Sequence, residues 1–442
     1  MAKPAKVLRR ASANLRVTLM RVMTGRCRWM QGLLLSAQFV LFVGVGAVIP
    51  TLPLYGKAIG LSGAANGIVI SAPAIALLLG ARSAGEFADQ ARKPAMIGGM
   101  ALIAASDVGT AFASSVGPLV LARLGLGAGR CVSESGERGM LADIASRVPS
   151  LRGRALGLQQ AVYALGIAVG APLGGLVVES YGPRAAFLCV SAAAAASLLM
   201  YTFLPETVVH DEAVGSSIEG QSSVLGDEGA AERAKRKGNW RTLLQDKRWQ
   251  ALALCQGGAT FGFSCKIACI PLIAAATLPG GAVGAGALLS AAGLSGLVGA
   301  PVGGWVTDRA GARLTALVSG LVSSASLFLM PVALSGGLGV GGGGAFSALV
   351  ILWSLGASAQ GPALAALAQQ LAPLGAEATA MALPRAAGDA VYIVAPFLLG
   401  VVADTSAMGI ECAVAGAATL AGVVALSWLT RDELRSNETE NK

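Results

Sequence analysis

The chain has 442 residues, of which 54% are hydrophobic and only 13% are charged, and its mean hydropathy is +0.66. Soluble domains usually carry about 25% charged residues, so this composition excludes a protein whose whole surface faces water. A formal net charge of +9 is compatible with nucleic-acid binding, but the placement of the basic residues favours a membrane and predicts no nucleic-acid partner.

The N-terminal segment, residues 1–30, is basic, with eight Lys and Arg and no acidic residue. Two interpretations stay open: a cleaved transit peptide, or a cytoplasmic segment that contacts anionic lipid and fixes the topology. Both a plasma membrane and an organelle envelope are compatible with it.

Twelve hydrophobic runs follow, each close to the roughly 20 residues that cross a bilayer core of about 30 Å. They predict transmembrane helices at 31–55, 64–84, 95–114, 118–141, 155–178, 184–204, 250–276, 282–303, 314–334, 346–371, 380–403 and 408–430. If both termini are cytoplasmic, the outer loops retain only Lys57 and Arg184 as basic residues. This positive-inside bias predicts a multi-pass membrane protein with cytoplasmic N- and C-termini.

A polar stretch at 208–248 separates six runs from six, and its composition predicts a flexible cytoplasmic linker. The two sides look like repeats, because Ala-Val-Ile-Pro50 ends the first run and Ala-Cys-Ile-Pro271 ends the seventh. The expected fold is an all-α membrane protein of about 12 transmembrane helices in two pseudo-symmetric six-helix bundles. The expected divisions are 1–30, 31–207 (first bundle), 208–248 (linker), 249–430 (second bundle) and 431–442 (cytoplasmic tail).

A Gly-x-x-x-Asp element follows the second run of each half, and the second copy resembles the signature loop of the major facilitator superfamily, G-x-x-x-D-R-x-G-R-R. The first copy departs from it, with Gln90 at the first Arg position and no Gly before the basic pair. The residues concerned are Gly85, Asp89, Arg92 and Lys93 in the first half and Gly304, Asp308, Arg309, Gly311 and Arg313 in the second.

Three further patterns are similar to the same family. Arg123-x-x-x-Gly127-x-Gly129 resembles its fourth-span motif, and Leu204-Pro-Glu-Thr207 resembles the end of its sixth span. The fifth run contains a glycine pattern that resembles a motif of the family's antiporters, formed by Gly166, Gly170, Pro172, Gly174 and Gly175. The resemblance implies a drug/proton antiporter-like transporter that works by alternating access, with Asp89 and Asp308 latching the outward-facing state. Ordinary basic loops and simple glycine packing are the alternatives.

Charged residues inside the runs are candidates for coupling and substrate binding, because such charges are costly in lipid. Asp107 and Arg123 lie at similar depth. They form either a structural bridge or a proton-binding Asp whose change of charge is relayed through Arg123. An i,i+4 spacing links Glu134 with Arg130 and with Arg138. Either the three charges neutralise one another, or Glu134 releases its partner Arg when it is protonated and so couples protons to the solute.

Two later runs also carry charges. Arg385 and Asp389 form another i,i+4 pair. By the family resemblance, Lys266 and Arg130 would face one cavity from opposite halves, which suits an organic anion; the alternative for Lys266 is snorkelling to the outer face.

The sequence lacks the P-loop, zinc-protease and nucleophile-elbow motifs, and its one G-x-G-x-x-G match, Gly337–Gly342, follows no strand, so we expect neither an enzyme nor a cofactor or metal. The main hypothesis is a monomeric secondary active transporter that exports a small organic solute in exchange for protons. The alternatives are ion-coupled uptake of an organic anion and a transporter-like receptor or scaffold without flux.

Overall fold

The computed structural model describes residues 3–147, 152–208, 240–337, 342–372 and 377–429, and within these ranges the chain is helical and contains no strand. The helices are α1 (Lys3–Ala58), α2 (Gly63–Gln90), α3 (Arg92–Phe112), α4 (Val116–Arg147), α5 (Arg152–Tyr181), α6 (Pro183–Thr202), α7 (Trp240–Leu243), α8 (Lys247–Ala268), α9 (Ile270–Thr277), α10 (Gly281–Ala310), α11 (Ala312–Leu334), α12 (Gly342–Leu371), α13 (Glu377–Thr405) and α14 (Ile410–Leu429).

Ten of the described helices are long and apolar enough to cross a membrane, and α8 with α9 makes an eleventh span that bends by 41°. Pro271 lies in the first turn of α9, where it cannot donate a backbone hydrogen bond, which accounts for the break. The remaining predicted run, 118–141, is α4, a helix of 32 residues whose polarity comes from its charged turns. The predicted all-α fold with about 12 membrane helices is therefore confirmed.

The boundaries differ most at two places. α1 begins at Lys3, well before the predicted start at 31, because a hydropathy pattern does not detect the polar beginning of a helix. Most of the predicted linker, 209–239, lies outside the described residues, as does the tail at 431–442. The described end of the linker is helical, with α7 and the first turn of α8 preceding residue 250.

The helices of the two halves pack in the same pattern. Each of five packed pairs in the first half has its counterpart in the second: α3–α4 with α11–α12, α1–α5 with α8–α13, α2–α4 with α10–α12, α3–α6 with α11–α14, and α1–α6 with α8–α14. The halves meet through α2–α13 and α5–α10, which also exchange under the repeat. This is the pseudo-symmetry that the repeated Ala-x-Ile-Pro segments predicted.

The glycine stripe of α5 packs against α1. At Gly166 an added Cβ would meet Phe42, at Gly170 the backbone carbonyl of Val43, and at Gly174 the backbone of Ala47. Because the three glycines recur every four residues, they form one face that lets the two helix backbones approach closely. Gly175 and Pro172 of the same motif lie on another side of α5, against the start of α10.

The hydrophobic cores show on which side the halves are joined. We call the side where α1 ends and α2 begins the distal side, and the opposite side the terminal side. One core holds buried residues of both halves at the distal side, such as Leu52, Ile70, Ile270 and Leu289. The two other cores, toward the terminal side, each belong to one half. The halves are thus fused at the distal side and separate toward the terminal side.

Two helix seams complete the distal closure. Ser290 Oγ of α10 donates to the Ala168 carbonyl of α5 at 2.6 Å. At the other seam, the Asp404 carboxylate of α13 accepts hydrogen bonds from the backbone N–H groups of Gly63 at 2.6 Å and Ala64 at 2.9 Å. Because these are the first residues of α2, Asp404 caps a helix of the opposite half, where negative charge is stabilised by the helix dipole.

Candidate functional site

Three charged residues on α4 form a connected set that we call the α4 ladder: Arg130, Glu134 and Arg138. Glu134 Oε1 accepts from Arg130 Nη2 at 2.8 Å, and Glu134 Oε2 accepts from Arg138 Nη2 at 2.7 Å. Both predicted i,i+4 pairs are present. One carboxylate therefore serves two guanidinium groups, and the set carries a net charge of one positive unit.

The α4 ladder faces the other half of the molecule. α4 packs on α2 through Gly127 and on α3 through Gly129. Glu134 is close enough to Arg385 of α13 to interact electrostatically, and Arg130 is similarly close to Tyr392 of the same helix. The ladder therefore lies between the halves, below the distal closure.

Arg385 and Asp389 do not form their predicted contact. Both side chains are exposed, and among the described residues no ion pair joins them. Arg385 instead adds a third cation near Glu134. An i,i+4 spacing brings two side chains onto one face, but solvent-exposed partners gain little from meeting.

A second carboxylate of α4, Glu137, was not among the predicted site residues. Its side chain is 1% exposed, and it faces α1 and α6 instead of the second half. Glu137 Oε2 accepts from Gln38 Nε2 at 2.8 Å, and Oε1 accepts from Ser133 Oγ at 2.7 Å. Gln38 is completely buried in this contact.

Asp107 and Arg123 are brought together as predicted. Both side chains are buried, and Arg123 Nη1 lies 3.8 Å from Asp107 Oδ1, which is an ion pair but too long for a hydrogen bond. The pair ties α3 to α4 within the first half. This contact suits the structural bridge, and a role in proton relay stays a prediction.

Lys266 lies beside an aromatic ring and not at the membrane surface. Its Nζ is 5.8 Å from the centre of the Trp353 ring, a cation–π arrangement between α8 and α12. About three helical turns, roughly 16 Å, separate Lys266 from Thr277 at the end of α9. A lysine side chain does not span that distance, which argues against the snorkelling interpretation.

The first Gly-x-x-x-Asp loop is held by contacts within its own half. Arg92 Nη1 lies 2.6 Å from Asp89 Oδ1, and Arg92 Nε lies 3.5 Å from Asp143 Oδ2 of α4. Lys93 Nζ donates to the Thr202 carbonyl at the end of α6, at 2.6 Å. An added Cβ at Gly85 would meet no atom within 4 Å, so no helix approaches it closely in this conformation.

The second loop is similarly open. Asp308 is exposed, Arg309 lies over the Trp305 ring at 4.0 Å, and Arg313 donates to the Ser427 carbonyl at 3.1 Å. Gly311 has φ +89° where α10 turns into α11, a conformation that requires glycine. Gly304 also has open space beside it. The latching role of Asp89 and Asp308 in the opposite conformation stays a prediction.

Glu206 anchors the terminal end of the first half. Its carboxylate accepts backbone hydrogen bonds from Arg92 at 3.2 Å and Lys93 at 2.9 Å, in the first turn of α3, and from Thr207 and Val208. Partial burial alone would raise the pKa of Glu206, but the four N–H donors outweigh it and lower the pKa below its ordinary value. The Leu-Pro-Glu-Thr motif thus caps α3.

These features together define a class of protein. Two related helical halves joined on one side, with ionised residues facing each other below the junction, form the architecture of a secondary transporter. A family model described as Major Facilitator Superfamily matches residues 34–396. The chain therefore belongs to the Major Facilitator Superfamily, and it is a membrane transporter and not an enzyme.

Curated relatives resemble part of the chain. The Quinolone resistance protein NorA of Staphylococcus aureus is 32% identical over 145 residues, which are 32% of this chain and 36% of the relative. Multidrug resistance protein 1 of Bacillus subtilis (strain 168) is 28% identical over 192 residues, 43% of this chain and 48% of the relative. The matches span less than half the length of these relatives.

Solved structures match almost the whole chain in fold. The nucleoside transporter NupG has a TM-score of 0.65 at 15% identity and covers 90% of this chain and 98% of its own. A bacterial homologue of the human lysosomal transporter Spinster, inward-facing and unoccupied, has a TM-score of 0.66 at 13% identity and covers 92% and 95%. At such identities the likeness concerns the fold alone.

Proposed function

We propose that the protein exports a small organic solute by alternating access and exchanges it for protons, as a member of a drug/proton antiporter-like branch. The observation that carries this proposal is the Glu134 carboxylate held by two arginines on the face of α4 that meets the second half. Relatives named for quinolone and multidrug resistance support the export direction. One chain contains both halves, which supports a monomer as the working unit.

The conformation suits an exporter that is ready to load. With cytoplasmic termini, as the positive-inside bias predicts, the distal side is extracellular and the terminal side is cytoplasmic. The two distal seams and the shared core then seal the outer face, so the molecule faces inward.

The chemistry of the α4 ladder suits a solute that carries an amino group. A zwitterionic solute fits the net positive charge of the ladder, since its carboxylate can pair with an arginine while its amino group competes with Arg130 and Arg138 for Glu134. An amino group on Glu134 releases an arginine from its ion pair, and a proton lost from the same helix restores the balance of charge. Exchange of solute for proton follows from this shared electrostatics.

The test is solute-driven proton movement in proteoliposomes with an imposed pH gradient and an internal pH dye. Quinolones and other cationic or zwitterionic solutes should collapse the gradient faster with the protein than without it. Glu134→Gln should abolish this effect, whereas Glu179→Gln, an exposed carboxylate at the distal end of α5, should not. If no solute accelerates proton movement by folded, monodisperse protein, the proposal is wrong.

Ion-coupled uptake of an organic anion is a second candidate, and Lys266 is the observation that favours it. In the described part of the chain this cation has no carboxylate partner, and it lies beside Trp353. An aromatic carboxylate could bind both groups. Uptake of labelled benzoate-type anions that is lost in Lys266→Gln and retained in Lys266→Arg would favour this function over export.

A further inference from the structure

Glu137 has neighbours that differ from those of Glu134. Glu134 is neutralised by two arginines, whereas no Lys or Arg of the described chain comes within ion-pair distance of Glu137. Its hydrogen-bond donors are a neutral amide, Gln38, and a neutral hydroxyl, Ser133. Burial of an ionised carboxylate without a partner of opposite charge is costly in free energy, because the lost hydration is not replaced.

The hydrogen-bond inventory around Glu137 is incomplete. Gln38 Nε2 donates to the carboxylate, but Gln38 Oε1 is buried and has no donor among the described residues. Tyr201 Oη, fully buried on α6 beside Glu137, also lacks a geometrically sound partner. Buried polar atoms are nearly always paired, so an orphaned acceptor next to an acid indicates a missing hydrogen.

One proton on Glu137 supplies that hydrogen. A neutral carboxyl group pairs with an amide through two hydrogen bonds, because it accepts from Nε2 and donates its O–H to Oε1. Ser133 and Tyr201 can still donate to the remaining lone pairs of the carboxyl oxygens. No charge is then left in the space between α1, α4 and α6, and Gln38 Oε1 gains its donor.

We infer that Glu137 binds the transported proton and that Gln38 positions the Glu137 carboxyl group, while Glu134 interacts with the solute. This inference rests on the proposed proton coupling. The residues lie one helical turn apart on adjacent faces of α4, so Glu134 faces the solute path and Glu137 faces the interior of the first bundle. Solute and proton therefore act on one helix without occupying one site.

The charged and titratable groups near Glu137 are few. Its own helix contributes Glu134 and Arg130, α5 contributes Tyr163, and α6 contributes Tyr201. Among the described side chains, α1 contributes the amide of Gln38. Glu134 and Arg130 already neutralise each other, so a solute that disturbs their pair changes the field at Glu137 and favours loss of its proton.

The decisive variant is Glu137→Gln, whose carboxamide has the shape of the neutral acid and cannot ionise. Exchange of labelled for unlabelled solute at equal pH should remain within about twofold of wild type, and solute-driven proton movement should fall at least tenfold. Glu411→Gln is the matched control. Glu411 is a carboxylate of the second half, 3% exposed, that accepts from its own helix end at Gly409, and its variant should keep the coupling.

A measurement that needs no transport makes the test independent of the proposed function. Infrared difference spectra between acidic and alkaline buffers should contain the C=O stretch of a protonated carboxyl group. This band should vanish in Glu137→Gln, persist in Glu134→Gln and shift in Gln38→Met, which removes the hydrogen-bond partner.

The outcomes separate the two proposals. If wild type moves protons with solute and Glu137→Gln still does so, or if the band survives in Glu137→Gln, the inference is overturned while the proposed function stands. If the band is lost in Glu137→Gln but no solute drives protons through wild type, the proton site stands and the proposed function fails. A loss of solute exchange together with a lower thermal unfolding temperature in Glu137→Gln would make Glu137 structural and also overturn the inference.

Discussion

Removing the Asp404 carboxylate should shift the molecule away from the conformation described here. Both carboxylate oxygens accept backbone N–H groups of Gly63 and Ala64, and these contacts join α13 of one half to the beginning of α2 in the other. Alternating access requires the distal side to open, and these hydrogen bonds must then break. Asp404 therefore stabilises the distally closed state alone.

The size of the effect follows from the type of contact. Loss of a side-chain helix cap costs about 0.5–2 kcal/mol, and a charge at an exposed helix N-terminus contributes about 0.3–1 kcal/mol. Asp404 is exposed, so water compensates part of both. A net cost of about 1–2 kcal/mol for Asp404→Ala corresponds to a shift of roughly 5- to 30-fold between closed and open populations. Asp404→Asn keeps the cap but loses the charge, and should shift the ratio less.

Distances between spin labels on the two halves measure this shift. Glu179 at the end of α5 and Met408 after α13 are exposed distal positions on opposite halves. Cys189 is the one exposed cysteine of the described chain and would be replaced by Ser. Asp404→Ala should increase the population with long distances.

A control within one half tests the reasoning. Ser62 Oγ accepts from Ala65 N at 3.2 Å and caps the same helix, α2, from its own side. Ser62→Ala should weaken the helix end without changing the distance distribution. The reasoning is refuted if Asp404→Ala leaves the distances unchanged, or if Ser62→Ala changes them equally.

Three further predictions concern stability, measured as thermal unfolding in detergent. Gly170→Ala places a methyl group against the backbone of Val43 and should destabilise the α1–α5 contact by about 1–3 kcal/mol. Asp107→Asn leaves Arg123 buried without its ion-pair partner and should cost up to about 3 kcal/mol. Glu206→Gln should lower stability at neutral pH only. The pKa of Glu206 in the folded state lies below its ordinary value of 4.5, so the carboxylate stabilises the fold above pH 4.5. This stabilisation is lost as the pH falls through the pKa of the folded state.

Each of these predictions has a control. Gly98→Ala, where an added Cβ meets no atom within 4 Å, should be neutral or slightly stabilising, since Ala is the better helix former. Adding Arg123→Met to Asp107→Asn should recover stability, and failure to recover would contradict the ion-pair explanation. A Glu206→Gln deficit that persists unchanged in acid would contradict the assigned role of its carboxylate.

The sequence predicted those features that depend on spacing within one helix. The contacts of Glu134 with Arg130 and Arg138 follow from an i,i+4 pattern, and the packing face of α5 follows from glycines repeated every four residues. The same spacing failed for Arg385 and Asp389, whose exposed side chains gain little from meeting. Spacing places two side chains on one helix face, and the surroundings of the pair decide whether they meet; Glu134, only 23% exposed, pairs with both of its arginines.

Features that depend on contact between distant helices could not be read from the pattern. In the sequence, Asp404 is one of several acidic residues at helix ends. Its role as a cap depends on the packing of α13 against the N-terminus of α2, which lies 341 residues away in sequence. A hydropathy pattern gives the length of the spans and not the rotation of each helix about its axis. The seam contacts need that rotation.

Glu137 shows what this rotation decides. In the sequence it looks like one more member of the Arg130–Arg138 series, with cations seven residues before it and directly after it. In the structure it faces Gln38 of α1 and has no cation in contact. Arg130 lies about two helical turns away and pairs with Glu134, and Arg138 lies about 100° around the helix axis and pairs with Glu134 from the other side. One helix thus presents a neutralised carboxylate to the second half and an unneutralised one to its own bundle. The proposed exchange of solute for protons uses both environments, since a carboxylate paired with two arginines is stabilised in its ionised form and one without a cation is not.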